Sequence, residues 1–74
     1  MDKELKLKIF LKKSKLRELV WIALTKEKTA TDISKELGKH RSSVSRVLLD
    51  LEKEGFIECL NSEDNSFRHY AKKN

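Results

Sequence analysis

Cysteine and histidine are scarce in this chain: Cys59 is the single cysteine, and His40 and His69 are the only histidines. One thiol excludes an intrachain disulfide and a cysteine cluster holding zinc or an iron–sulfur centre. Cys59 therefore reads as a small, partly buried hydrophobe in a strand. No paired-carboxylate or nucleophile motif accompanies the two histidines, and 74 residues leave little room for a closed active site. An enzyme is not expected, and neither is a metal or another cofactor. Long hydrophobic runs are missing too. None approaches the roughly 18 apolar residues of a transmembrane helix, and the start, MDKELKLKIF, lacks the continuous apolar core and small-residue cleavage site of a signal peptide. The expectation is a soluble, cytoplasmic domain without membrane contact. A chain of this length buries only about 60% of the surface its unfolded form exposes, so the core must be compact and no small-molecule pocket is legible. Glycine occurs twice, at Gly38 and Gly55, and both positions follow helix-like apolar patterns where a helix should stop.

Charge, by contrast, is plentiful and unevenly placed. The net charge is +5, and residues 1–28 carry nine Lys and Arg against four Asp and Glu, whereas residues 29–55 and 56–74 are each balanced. A basic balance favours a nucleic-acid partner over an acidic protein or a membrane surface. Local placement says more than the total. In the segment that follows Gly38, Lys39, His40, Arg41 and Arg46 crowd the N-terminal half, while Asp50, Glu52 and Glu54 gather with Lys53 at the C-terminal end. An isolated helix prefers the opposite arrangement by roughly 0.3 to 1 kcal/mol per charge. A polyanion approaching the N-terminal half would supply the missing counter-charge, and a phosphate backbone is the commonest such partner.

The apolar spacing organises the chain into helices followed by a hairpin. Residues 1–13 form an N-terminal segment with two readings: Leu5, Lys6, Leu7, Lys8 and Ile9 alternate as in a strand, yet Leu5 and Ile9 also fall on the helical stripe of Leu16, Leu19, Val20 and Ala23. Packing beneath the hairpin or contact with a dimer partner would suit either. Residues 14–74 form the main domain. Ser14 can cap a first core helix, on which Trp21 and Ile22 lie off the centre of the stripe and either widen the core or meet a second subunit. Lys26, Glu27 and Lys28 make a short polar linker. Thr29 with Asp32 then resembles a capping box, opening a helix that runs to Leu37 with Ala30, Ile33 and Leu37 inward. After Gly38, the residues Val44, Val47, Leu48 and Leu51 define the buried stripe of a third core helix ending at Gly55. The opposite face carries Ser42, Arg46, Leu49 and Lys53, with Ser45 beside it and Arg41 nearer the rim. Such side chains can approach a phosphate or a base edge, and arginine can pair bidentately with guanine. Downstream, Phe56–Leu60 and Phe67–Lys72 read as two strands joined by six polar residues, Asn61 to Ser66. Arg68 sits on the returning edge, where it either reaches DNA or pairs with Glu58. Glu63 and Asp64 at the tip would repel phosphate, which makes the flank the contacting part.

Two helices meeting at a glycine turn and followed by a hairpin resemble the winged helix-turn-helix family, especially the small MarR-like and ArsR-like transcription regulators. The resemblance covers residues 14 to 72 and is most specific at Glu36, Leu37 and Gly38, at Arg41 to Arg46, at Leu51, Glu52, Gly55, Phe56 and Ile57, and at Arg68 and Tyr70. It implies a mainly α fold, with a three-helix core plus a two-stranded wing. It also implies a sequence-specific regulator of double-stranded DNA, with the recognition helix at 41–54 in the major groove, the wing at 56–72 flanking the backbone, and a homodimer reading two half-sites. On this resemblance Arg41, Ser42, Ser45 and Arg46 approach bases or phosphates, Thr31 and Lys39 steady the backbone, and Arg68 acts from the wing. Ser43 and Lys53 complete the candidate DNA-binding set. His40 stands where such proteins often carry a serine cap, leaving the helix start less well satisfied but offering a pH-sensitive contact. Lys39 replaces a commonly apolar turn residue. Metal-sensing members use paired cysteines or clustered histidines and acids, and Cys59, His40 and His69 form no such set. The alternative function is a winged-helix protein-interaction module without DNA contact, for which Trp21, Ile22, Leu49 and the N-terminal segment offer apolar groups.

Overall fold

The computed structural model describes residues 2–63 and 67–73. Among these, the elements are α1 (Lys3–Lys12), α2 (Lys15–Ala23), β1 (Lys28–Thr29), α3 (Ala30–Leu37), α4 (Arg41–Lys53), β2 (Ile57–Cys59) and β3 (His69–Lys72). The architecture is mainly helical with a small antiparallel sheet, that of a winged helix. It is larger by one helix and one strand than the three-helix core and two-stranded wing expected from the sequence.

The additional helix is α1, which resolves the two readings of the N-terminal segment in favour of a helix that is separate from the next. Asp2 caps it by accepting from the Glu4 N–H at 3.2 Å. Lys12 and Lys13 cannot continue a core-facing stripe, and the chain breaks there. Ser14 then restarts it, its hydroxyl accepting from the Arg17 N–H at 3.4 Å. Leu7, Phe10 and Leu11 of α1 pack against the core, and the Phe10 ring lies 5.7 Å from that of Phe56 at the entrance to β2. The Arg17 guanidinium stacks 3.9 Å from the Phe10 ring centroid and donates to the Phe10 carbonyl at 3.2 Å. Leu5 and Ile9 stay on the outer side, exposed.

The additional strand is β1. It has only two residues, too few to show a pattern, and it pairs Lys28 with Tyr70 and Thr29 with His69. Strand β3 therefore lies centrally, between β1 and β2. Lys28, expected in a polar linker, is buried. Its ammonium donates to the Ala23 carbonyl at 2.7 Å and to Glu36 Oε1 at 2.8 Å, so the buried cation closes the C-terminal end of α2 and ties it to α3.

Thr29 ends β1 and begins α3 in the same step. Its hydroxyl accepts from the Asp32 N–H at 3.1 Å while Asp32 accepts from the Thr29 N–H at 3.1 Å, the reciprocal box expected from the sequence. Helix α3 stops at Gly38, whose φ of 64° turns the chain through the left-handed region. The core gathers Val20, Leu24, Ile33, Val44, Val47, Leu48, Leu51, Phe56, Ile57 and Tyr70. All four expected inward residues of α4 are in it. Trp21 widens the core and lies under the Lys72 ammonium, 4.3 Å from the ring centroid, whereas Ile22 remains 59% exposed.

Candidate nucleic-acid interface

The inward stripe of α4 fixes which residues face out. With Val44, Val47, Leu48 and Leu51 buried, the 100° step per residue sends Ser42, Arg46, Leu49 and Lys53 to the opposite side. Ser42, Arg46, Leu49 and Lys53 are all exposed. Helix α4 is 13 residues long, about 20 Å at 1.5 Å per residue, and Lys53 lies at its far end from Arg41.

The candidate residues divide between the two flanks of this face. Toward the wing, Thr31 of α3, Arg41 and Ser45 of α4 and Arg68 line one cleft of about 150 Å³ together with Thr29, Ala30, Leu49, Phe67 and Tyr70. That volume is below the roughly 300 Å³ at which drug-sized pockets begin. Toward α2, Ser42, Ser43 and Arg46 border an open depression with Leu16, Val47 and Asp50. Lys39 and His40 are exposed in the turn between α3 and α4. The candidate hydroxyls and cations thus lie on both flanks of the outward face of α4, with Lys53 toward its C-terminal end.

The electrostatics of the two ends differ. At the N-terminal end of α4, His40 occupies the cap position without a side-chain cap hydrogen bond, and no acid occupies the first turn. The early N–H groups and the positive end of the helix dipole lie beside Lys39, His40 and Arg41, so the local field favours an anion. Farther along, Asp50 Oδ2 lies 3.9 Å from Arg17 Nη2 of α2. Asp50 thus places an acid, partly offset by Arg17, in the same depression as Ser42, Ser43 and Arg46.

On the wing side, Glu58 stands opposite Ala71 in the sheet. Burial of the Tyr70 phenol pushes its pKa above the ordinary 10.0, against the opposing influence of the nearby Arg68 guanidinium. Both residues line the wing-side cleft. The backbone around Arg68 is held by Asn61. Its amide donates to the Phe67 carbonyl at 2.7 Å and its Oδ1 accepts from the His69 N–H at 2.6 Å. Asn61 appeared in sequence only as a turn residue, yet it clamps the base of the wing on both sides of Arg68. The expected tip residues Asp64, Asn65 and Ser66 lie outside the described residues.

Leu49, Phe67 and Tyr70 are cleft residues absent from the expected binding set. Leu49 was legible, four residues after Ser45 and eight after Arg41, on the flank of the helix those two share. Phe67 and Tyr70 required the sheet order, because only a central β3 brings them across from α4. Among the described residues, no group of three or more His, Cys, Asp or Glu side chains is placed to hold a metal ion, and no helix is long and apolar enough to cross a membrane.

Comparison with curated proteins and with solved structures gives no significant match. A family model described as sugar-specific transcriptional regulator TrmB does match, over residues 5–72. That span takes in α1 as well as the winged-helix elements, from the first apolar residue of α1 to the last residue of β3. The chain belongs to the TrmB family of transcriptional regulators, whose helix-turn-helix domain binds DNA.

Proposed function

We propose that this chain is a sequence-specific, double-stranded DNA-binding regulator that lays α4 in the major groove and the wing along the adjacent backbone, as its resemblance to MarR-like and ArsR-like regulators implies. In this reading Ser42 and Arg46 meet base edges, Arg41, Ser43 and Ser45 take bases or phosphates beside them, Thr31, Lys39 and His40 contact the backbone at the start of the helix, and Lys53 and Arg68 contact it at the far end and from the wing. Two copies reading two half-sites in the cytoplasm complete the proposal. The observation that carries it is the uncapped, acid-free start of α4 set among exposed cations and hydroxyls. An anion there satisfies both the open N–H groups and the adverse charge gradient.

Salt titration tests the reading. A dimer neutralising roughly five to ten phosphates gives a slope of log affinity against log salt of about −4 to −9. A flat response sinks it in favour of the second reading, a protein-interaction module, which the exposure of Ile22, Leu60 and Leu5 supports. The family description also names sugars, and DNA affinity measured across a panel of mono- and disaccharides tests whether that property extends to this chain.

A further inference from the structure

One residue on the outward side of α4 does not fit the chemistry of its neighbours. Leu49 is 46% exposed, and although Phe67 and Tyr70 share its wing-side cleft, its neighbours on the outward face of α4 are polar or charged: it lies one turn beyond Ser45 and Arg46, two turns beyond Ser42, and one turn before Lys53. It also forms part of the wall of the cleft that holds Arg41, Ser45 and Arg68. Contact with phosphate is chemically closed to an isobutyl group. On a base edge in the major groove, the complementary apolar feature is the 5-methyl group of thymine, which the other three bases lack. Arg41 and Arg68 on the cleft side and Arg46 on the outer side flank Leu49 with cations that can fix the helix on the backbone.

We propose that Leu49 is a specificity-determining residue that reads thymine through its 5-methyl group, an apolar contact set within an otherwise polar recognition face. The proposal rests on the DNA-binding reading above. It places a thymine toward the C-terminal side of the base contacted by Arg46, one helical turn along α4. Discrimination comes from removing the methyl and the isobutyl surfaces from water together. Loss of one buried methyl-sized group corresponds to about a fourfold change in affinity.

The test replaces thymine by deoxyuridine, which deletes only the methyl. A duplex is first selected by the full chain from a random pool, and each thymine is then exchanged singly. The expected result is that deoxyuridine weakens wild-type binding about fourfold at one thymine per half-site, with no comparable effect elsewhere. Leu49→Ala should bind the thymine and deoxyuridine duplexes equally at that position, and Leu49→Met, which keeps an apolar side chain of similar volume, should restore the preference. Arg46→Ala should retain it. Equal wild-type affinity for both duplexes at every position overturns the proposal while leaving DNA binding intact, as does a full deoxyuridine penalty in Leu49→Ala. Selection that recovers no bound duplex overturns the DNA-binding reading itself, and makes Leu49 a solvent-facing or protein-facing group.

Discussion

Helices α3 and α4 begin in opposite ways although only a few residues separate them. The start of α3 is closed on itself: Thr29 and Asp32 satisfy each other's backbone N–H groups, and an acid stands at the positive end of the helix dipole. The start of α4 has neither device. His40 makes no side-chain cap bond, the first turn has no acid, and cations surround it. One helix is stabilised by its own sequence and the other is left to be completed from outside. On the proposed reading the contrast is a division of labour: α3 and the core hold the geometry, and α4 offers open N–H groups to a phosphate backbone.

Four substitutions break or sharpen this contrast. The largest effect is expected on affinity for Arg46→Ala, which should weaken specific binding by about 1–3 kcal/mol and relax preference at one base position. Its urea unfolding should stay within about 0.5 kcal/mol of wild type, since the side chain is on the surface. Equal weakening on all duplexes would make Arg46 a phosphate anchor instead. Thr29→Ala should do the reverse, costing about 1 kcal/mol of unfolding free energy through loss of the cap. An unchanged urea midpoint would show that the box contributes nothing to α3.

His40→Asp turns the open start of α4 into a closed one. A capping aspartate should raise stability by about 0.5–1 kcal/mol and weaken DNA binding, as read by denaturation and by titration of the selected duplex. A variant both more stable and tighter binding would refute the idea that α4 is left open for an anion. The smallest expected effect is pH-dependent. Hydrogen bonds to Asp32, first from the Thr29 backbone N–H and then from its hydroxyl, hold its carboxyl below the ordinary 3.8. A folded-state pKa below the unfolded one contributes stability above the unfolded value and loses it as pH falls through the folded value. The stability advantage of wild type over Asp32→Asn should therefore be present at about pH 6 and be lost progressively as the pH falls below the ordinary 3.8 and through the lowered folded-state value. An advantage constant across that range would mean that Asp32 acts without its charge.

Local signals proved legible where a residue's chemistry and its backbone conformation coincide. The Thr29 and Asp32 box, the left-handed Gly38 and the inward Val44, Val47, Leu48 and Leu51 all carry their structural roles in their own spacing. The N-terminal segment was ambiguous because Leu5, Leu7 and Ile9 satisfy a two-residue period, and only the packing of Leu7, Phe10 and Leu11 on the core selects the helix. Strand β1 was illegible for a different reason. Two residues hold no periodicity, and Lys28 looks like a solvated charge until the Ala23 carbonyl and Glu36 converge on it. The outward residues of α4 could be read from its buried stripe, but not their division between a wing-side cleft and an α2-side depression. Asn61 gave no hint of its hold on both sides of Arg68.

The amino-acid order by itself determined where the core helices start and stop, which side of α4 is inward, and that its cations lie at the electrostatically adverse end. These follow from interactions within one or two turns, where sequence distance and spatial distance are nearly the same. The tertiary structure alone decided that α1 joins the core through Phe10 and Phe56, that β3 is the central strand, and that Thr31, Arg41, Ser45, Leu49 and Arg68 share one cleft. Those outcomes depend on contacts between segments tens of residues apart, whose partners are chosen by packing and sheet pairing rather than by any spacing along the chain.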